Sequence, residues 1–291
     1  MNALWKVWND HDEFLLPETG YSLKGFSIAA LRTNFYIKEL DIMFDAGISG
    51  YMSPDHIFIT HTHGDHIANI PFHILAPKPG KKIQVYTPKE SMDVLEKYIT
   101  GLYKANDFGN VDASDEHYYT KNYDIIGVTA GEILSLDIKG RLFAVEIINC
   151  DHSVPCVGYG FSEIKQKLKK EYLGLSGREI KLLKESKVEI TEPVYSYVFC
   201  FLGDTSKKII KEDISKYRSI IMECTFINEE ELERAELTKH THWLDIQQYI
   251  IDHPKITFVL YHFSQRYKKD DIKKFFTNMG HLNVHTWISN V

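Results

Sequence analysis

The chain has no stretch approaching 18 uninterrupted apolar residues, so it offers no membrane-spanning helix. Cysteine is scarce, with four in 291 residues: Cys150, Cys156, Cys200 and Cys224, without a Cys-x-x-Cys spacing. That usage reads as buried free thiols in a reducing compartment rather than as a disulfide framework. Positive charge is in deficit, with 34 Lys and Arg against 40 Asp and Glu and a formal charge of −6. This excludes an overall electrostatic attraction to nucleic acid while leaving room for a local basic patch. Residues Met1 to Phe14 carry Asp10, Asp12 and Glu13 and no long apolar run, unlike a signal peptide, and a cytoplasmic protein is the expectation. Low-complexity linkers and fixed-period repeats are also lacking, so residues 1–291 read as one domain. What is abundant is aromatic: 17 Tyr and 16 Phe predict an aromatic-rich core in a composition otherwise ordinary for a globular chain.

Strand signals dominate the first half. Phe26–Leu31, Phe35–Ile37, Ile42–Phe44, Ile57–Thr60 and Ile83–Tyr86 are short, apolar and β-branched or aromatic, with turn residues between them. Pro88 opens a helix over Ser91–Thr100, where Met92, Leu95 and Ile99 share a face. The polar, tyrosine-rich residues 104–124 read as a loop or insertion. The second half repeats the rhythm, with strands expected over Phe143–Ile148, Tyr195–Leu202, Ser219–Met222 and Thr257–Tyr261. Helices are expected over Lys165–Tyr172, Gly177–Glu185, Glu229–Leu237, Leu244–Ile251 and Asp270–Asn278. The lysine-rich residues 161–196 are the candidate for a module added to the core.

The chemistry concentrates at His61-Thr62-His63-Gly64-Asp65-His66. His61 and His63 lie two apart at a strand end, so both can face one way, and Gly64 would let the chain turn so that Asp65 and His66 face back. Imidazoles and a carboxylate are good zinc ligands, and four in six positions exceed what one open tetrahedral site needs. Two metals in one cavity is the reading. The lone histidines His11, His56, His73, His117, His253, His281 and His285 read as ordinary surface or core residues.

The hexapeptide resembles the His-x-His-x-Asp-His signature of the metallo-β-lactamase superfamily. Phe44-Asp45-Ala46-Gly47 is similar to the segment that precedes it there, and His152, Asp204 and His262 each follow a strand, in the superfamily's order. The resemblance implies an αβ/βα sandwich, an α/β fold of two mixed sheets flanked by helices. It implies that His61, His63 and His152 hold a first metal, that Asp65, His66 and His262 hold a second, and that Asp204 bridges them. It further implies a metal-bridging hydroxide as nucleophile, with Asp65 as a candidate for its base. Histidine-rich ligation favours two zinc ions, and manganese or iron also suits such a set.

Smaller motifs narrow the resemblance to ribonuclease Z, the tRNA 3′-end processing endonuclease. Tyr261-His262-Phe263-Ser264-Gln265-Arg266-Tyr267 is similar to that family's His-Phe-Ser-x-Arg-Tyr, Asp151 to Tyr159 to its Asp-His-x-x-Pro-x-x-Gly-Tyr, and Gly203-Asp204-Thr205 to its Gly-Asp-Thr. Glu223-Cys224-Thr225-Phe226 resembles its His-Glu-Ala-Thr-Phe, with Met222 in place of the histidine. The implied activity is RNA phosphodiester hydrolysis, with precursor tRNA as a candidate substrate and a homodimer as the common assembly. Glu223 and His242 are read as the pair that protonates the leaving oxygen, with His240 the competing histidine. Arg266 and Tyr267 are read as substrate contacts. In residues 161–196 lysines alternate with glutamates, which reads as a solvated helical face rather than an RNA clamp. The alternatives are a superfamily hydrolase of β-lactams or thioesters, and a non-catalytic binding protein.

Overall fold

In a strand, neighbouring side chains point to opposite faces, so a run of apolar residues can serve two cores at once. β12 (Ser219–Glu223) shows this: Ile221 faces the opposite sheet, while Ile220 and Met222 face helices. The same division holds in β13 (Thr257–Tyr261), with Val259 and Tyr261 inward and Phe258 and Leu260 outward. In β5 (His56–Phe58) Phe58 points inward and Ile57 outward.

A computed structural model describes residues 13–50, 52–75, 77–106 and 122–289, together with Trp8. Two seven-stranded mixed sheets pack face to face, with helices outside both. The first sheet runs in chain order: β1 (Phe14–Leu16), β2 (Tyr21–Ile28), β3 (Arg32–Ile37), β4 (Ile42–Phe44), β5, β6 (Ile83–Pro88) and β7 (Tyr123–Val128). The second holds β8 (Ile133–Ile138), β9 (Arg141–Cys150), β10 (Cys156–Leu168), β11 (Thr191–Phe201), β12, β13 and β14 (Val284–Thr286), also in order. In each sheet the first three pairings are antiparallel and the last three parallel. The chain therefore folds the same topology twice, which is the rhythm that the sequence repeats. This is the expected αβ/βα sandwich.

Among the described residues from 13 onward the α-helices are α1 (Gly64–Ile67), α2 (Ile70–His73), α3 (Met92–Asn106), α4 (Gly177–Glu185), α5 (Leu232–Thr238), α6 (Trp243–Asp252) and α7 (Lys269–Met279). Leu95 and Ile99 of α3 pack on the first sheet, and Trp243, Ile246 and Ile250 of α6 on the second. Between the sheets the core is aromatic. Phe44 stacks on Phe201 at 4.5 Å and 10°, Phe58 on Tyr86 at 4.6 Å and 9°, and Phe161 on Phe199 at 4.8 Å and 19°.

Several expectations change. Lys165–Leu168 is strand rather than helix, because its backbone pairs with Thr191–Val194 and that ladder overrides the helix preference of its Lys and Gln residues. Residues 161–196 are consequently a two-stranded extension rather than a helical surface, closed by a 3-10 turn at 170–172 and by α4. A capping box begins α4: Ser176 Oγ accepts from the Glu179 N–H, and the Glu179 carboxylate accepts from the Ser176 N–H. Gly64 makes no sharp turn; it opens α1, and a side chain there would meet open space. The glycine whose smallness is required is Gly47, where a Cβ would lie 1.9 Å from the Asp65 carbonyl oxygen. β1, β7, β8, β10 and β14 were not expected as strands, although β8 alternates Leu134, Leu136 and Ile138 with Ser135 and Asp137. Of the expected loop at 104–124, residues 104–106 end α3, 123–124 begin β7, and 107–121 lie outside the described residues. Among the described residues the four cysteines are buried and free, and no helix is long and apolar enough to cross a membrane.

Truncating the stacked Phe44 to alanine should cost about 3–5 kcal/mol of unfolding free energy, read by denaturant titration. Leu173→Ala, at a side chain 68% exposed on the tip of the extension, should change stability by no more than about 0.5 kcal/mol. A comparable loss from both would show that the inter-sheet aromatic stack is not the core that holds the sandwich together.

Candidate metal centre

The C-terminal ends of β4, β5, β9, β11, β12 and β13 open onto one edge of the sandwich; Glu223 ends β12, and the segments that follow the other strands carry Asp45, His61 to His66, His152, Asp204 and His262. The structure brings the side chains together in overlapping groups: His61, His63, His152 and Asp204; Asp65, His66 and His262; and Asp204, His240 and His262. Within each group the ligand atoms lie within 4.8 Å of one another.

Each ring is aimed by what holds its other nitrogen. Asp45, fully buried, accepts from His66 Nδ1 at 2.7 Å and from the Thr60 N–H at 2.8 Å. The Thr60 hydroxyl donates to the same carboxylate, so it accepts from His61 Nδ1 at 3.0 Å. On the other side, the Thr225 hydroxyl donates to Glu223 and accepts from His262 Nδ1 at 3.0 Å. The Lys239 carbonyl accepts from His152 Nδ1 at 3.1 Å. Four rings are thereby fixed as Nδ1–H tautomers with Nε2 lone pairs facing inward, the usual way of orienting a metal ligand.

The residues fit divalent cations. His61 Nε2 and His152 Nε2 each lie 3.1–3.2 Å from His63 Nδ1, so three ring nitrogens converge with too few protons to satisfy one another. His66 Nε2 and Asp204 Oδ1 are buried without a hydrogen-bond partner. Asp204 Oδ2 stands 3.4–3.7 Å from Nε2 of His61, His66 and His262, placed between both groups. Three residues adopt left-handed backbone here, Asp45 at φ 55°, Lys239 at φ 53° and His262 at φ 66°. Such backbone in a non-glycine residue is strain of the kind that collects at functional sites. Asn34 supports the first by donating to the Phe44 and Asp45 carbonyls.

The electrostatics without metal follow from this packing. Burial drives the His61 ring toward its neutral form. Burial would do the same to His66, but Asp204 and Asp45 override it and raise its pKa well above the ordinary value. Asp204, despite its own burial, is held far below the usual carboxylate range by His262 and His66.

The histidine that stands against Glu223 differs from the sequence expectation. His240, not His242, stands against Glu223, with Nδ1 2.9 Å from Oε1. His242 caps α6 instead: its Nδ1 accepts from the Leu244 N–H at 3.1 Å and its Nε2–H donates to the Asn228 carbonyl at 2.8 Å. Both its nitrogens are engaged and the side chain is fully buried, so it has nothing left to offer a substrate. The two histidines lie two apart in extended chain, so spacing alone could not separate them; the apolar pattern of α6, beginning at Trp243, was the available sign that His242 is a cap. Glu223 accepts also from the N–H groups of Thr205 and Thr225. Tyr267 is likewise committed, its hydroxyl bonded to Glu231 and accepting from the Ile227 N–H at 3.0 Å. Its expected substrate contact is not what the geometry offers. Arg266, half-exposed, pairs with Glu231 at 3.4 Å.

The fold and this ligand cluster define a metallo-β-lactamase-fold hydrolase that uses divalent metal ions. A metallo-β-lactamase-fold protein of Bacillus subtilis, YhfI, superposes with a TM-score of 0.57 at 15% identity, covering 92% of this chain and 97% of that one. No protein-family model matches the chain. It is 31% identical over 268 residues to tRNase Z TRZ1 of Arabidopsis thaliana, covering 87% of this chain and 89% of that protein. It is 30% identical over 272 residues to the chloroplastic tRNase Z TRZ2 of the same plant, covering 87% and 70%. Ribonuclease Z of Clostridium perfringens matches at 29% over 217 residues, 66% of each chain. The chain belongs to the ribonuclease Z (tRNase Z) family.

Burial alone would push the His240 ring toward neutrality, but the adjoining Glu223 carboxylate prevails and raises its pKa to about 9. A raised histidine adds stability that is fully present below its ordinary pKa and is lost as pH rises through about 9. In metal-free protein, the His240 ring should therefore titrate near 9 by NMR, and Glu223→Gln should lower that midpoint by about one unit or more. A midpoint unmoved by Glu223→Gln would break the pairing.

Proposed function

We propose that the chain hydrolyses RNA phosphodiester bonds at a dinuclear centre, with precursor tRNA, the substrate class in its relatives' names, as the substrate. The observation that carries this reading is the Glu223–His240 pair, 2.9 Å apart and beside the ligand cluster. A phosphodiester expels an alkoxide, which leaves faster when protonated, and a histidine held protonated by a carboxylate supplies that proton. Hydrolysis of a thioester or a β-lactam gives no reason for this pair.

His61, His63, His152 and Asp204 would hold one cation, and Asp65, His66, His262 and Asp204 the other. Zinc suits the five imidazoles, and manganese or iron is compatible with the carboxylates. A pair of divalent ions, when bound, acidifies water and neutralises phosphate charge. The remaining work falls to side chains. Asp65, whose Oδ2 lies 3.4–3.5 Å from Nε2 of His262 and His66, is the base that accepts the proton of the attacking water. His240 donates from Nε2 to the leaving oxygen, and Glu223 holds the opposite nitrogen and favours the charged ring. A cavity of about 530 Å³ opens beside His240 and includes Ser206, Lys207, Lys208 and Lys239 in its lining. This is within the ordinary range for a ligand site; Lys207, Lys208 and Lys239 each pair there with Glu236 or Asp151, and Glu233 and Asp245 also line it, so its charge is mixed rather than cationic. Arg266 could reach a phosphate backbone once released from the exposed Glu231 pairing.

The decisive assay sets precursor tRNA beside an unstructured RNA, with metal-loaded wild type, Asp65→Ala and His240→Ala. Wild type should cleave, Asp65→Ala should lose nearly all activity, and His240→Ala should lose about 10²–10⁴-fold. His242→Ala, by contrast, should act through stability alone, costing about 0.5–2 kcal/mol as a lost helix cap. Cleavage of neither RNA by the metal-loaded protein would defeat the reading.

A further inference from the structure

Lys239 occupies a backbone position that suits glycine. It caps the C-terminus of α5 with φ 53° and ψ 47°, and its N–H bonds back to the carbonyls of Ala235 and Glu236. Glycine adopts this left-handed geometry without a Cβ penalty, and a helix end alone gives no reason for lysine. The reason lies across the site. Lys239 Nζ donates to Asp151 Oδ1 at 3.0 Å and to the His152 carbonyl at 3.1 Å, while the Lys239 carbonyl accepts from the His152 ring at 3.1 Å. One residue thus grips His152 from both its backbone and its ring.

We infer that Lys239 is a positioning residue that couples the metal ligand His152 to the proton donor His240. This rests on the reading of those two histidines under the proposed function. Lys239 immediately precedes His240, whose ring lies 4.9 Å from that of His152. The loop at Asp151–His152 and the loop at Lys239–His240 come from β9 and α5, elements far apart in the chain, and the Lys239 side chain is a tie between them. Asp151 anchors the tie, since its second oxygen accepts from Ser206 Oγ at 2.8 Å and pairs with Lys208 at 3.0 Å. An exposed ion pair is ordinarily worth little, and Lys239 is 42% exposed. Its importance is therefore geometric: it fixes a ring tautomer and the separation of two functional histidines.

Glycine at this position provides the test, because it relaxes the backbone and removes only the tie. Lys239→Gly should fold with unchanged or higher thermal stability. Its affinity for zinc alone, measured in competition with a chromophoric chelator, should fall about 10-fold or more, as for other groups that orient a metal ligand. Lys239→Met, which keeps the apolar stem, should show the same loss, and Lys239→Arg should recover most of it. With RNA, kcat should fall while KM stays near that of wild type. Zinc affinity of both Lys239→Gly and Lys239→Met within about twofold of wild type would overturn the inference. A loss in Lys239→Gly that Lys239→Met does not share would also overturn it, since the cause would then be the backbone. Zinc binding is read without RNA, so a protein that passes this test yet cleaves no RNA would defeat the proposed function alone.

Discussion

Five imidazoles whose unprotonated nitrogens point at one another are mutually unfavourable neighbours, and the structure depends on holding them there. The holding is done by hydrogen bonds at the far side of four of the rings. Asp45 fixes His66 directly and His61 through the Thr60 hydroxyl, and Glu223 fixes His262 through the Thr225 hydroxyl. These carboxylates are fully buried, which is tolerable only because each collects several donors at short range.

The doubled topology explains how so many ligands reach one place. Strands β4 and β5 of the first sheet and β11, β12 and β13 of the second are parallel within their sheets, so their C-terminal ends gather at the shared edge. β9 runs parallel to β11 because both are antiparallel to β10, which delivers His152 to the same edge. Sequence separation is irrelevant to the site: Asp65 and His262 are 197 positions apart and their side chains lie 3.4 Å apart.

How legible this was depended on whether a residue's role is local. The hexapeptide is a local signal, since its ligands share one loop, and the two-faced strands β4, β12 and β13 are local signals of burial. The strand character of Lys165–Leu168 is not local, because it exists only through pairing with Thr191–Val194. Which of His240 and His242 meets Glu223 is not local either, although the start of α6 at Trp243 marked His242 as a cap. What gives each its role is distant in the chain: Glu223, contributed by β12, for His240, and the Asn228 carbonyl for His242. Thr60, Thr225 and Lys239 escaped notice because their chemistry is to orient neighbours rather than to bind or react, and hydroxyls and lysines are common everywhere.

Glu223 joins the two tasks of the site. One of its oxygens meets His240 and the other, through Thr225, sets His262, so under the proposed function proton donation and metal ligation would share one buried carboxylate. A pKa near 9 is higher than a donor working near neutral pH wants, because such an acid is slow to release its proton. Asp204, 3.9 Å from His240 Nδ1, contributes to that elevation. Divalent cations held by Asp204 would cancel its pull and add repulsion, so the His240 pKa must be lower with metal than without. By linkage the reverse also holds, and protonating His240 must weaken metal binding by the same free energy. Under the proposed function the site is thus tuned as a whole: cations that activate the attacking water would also make the proton on His240 easier to give away.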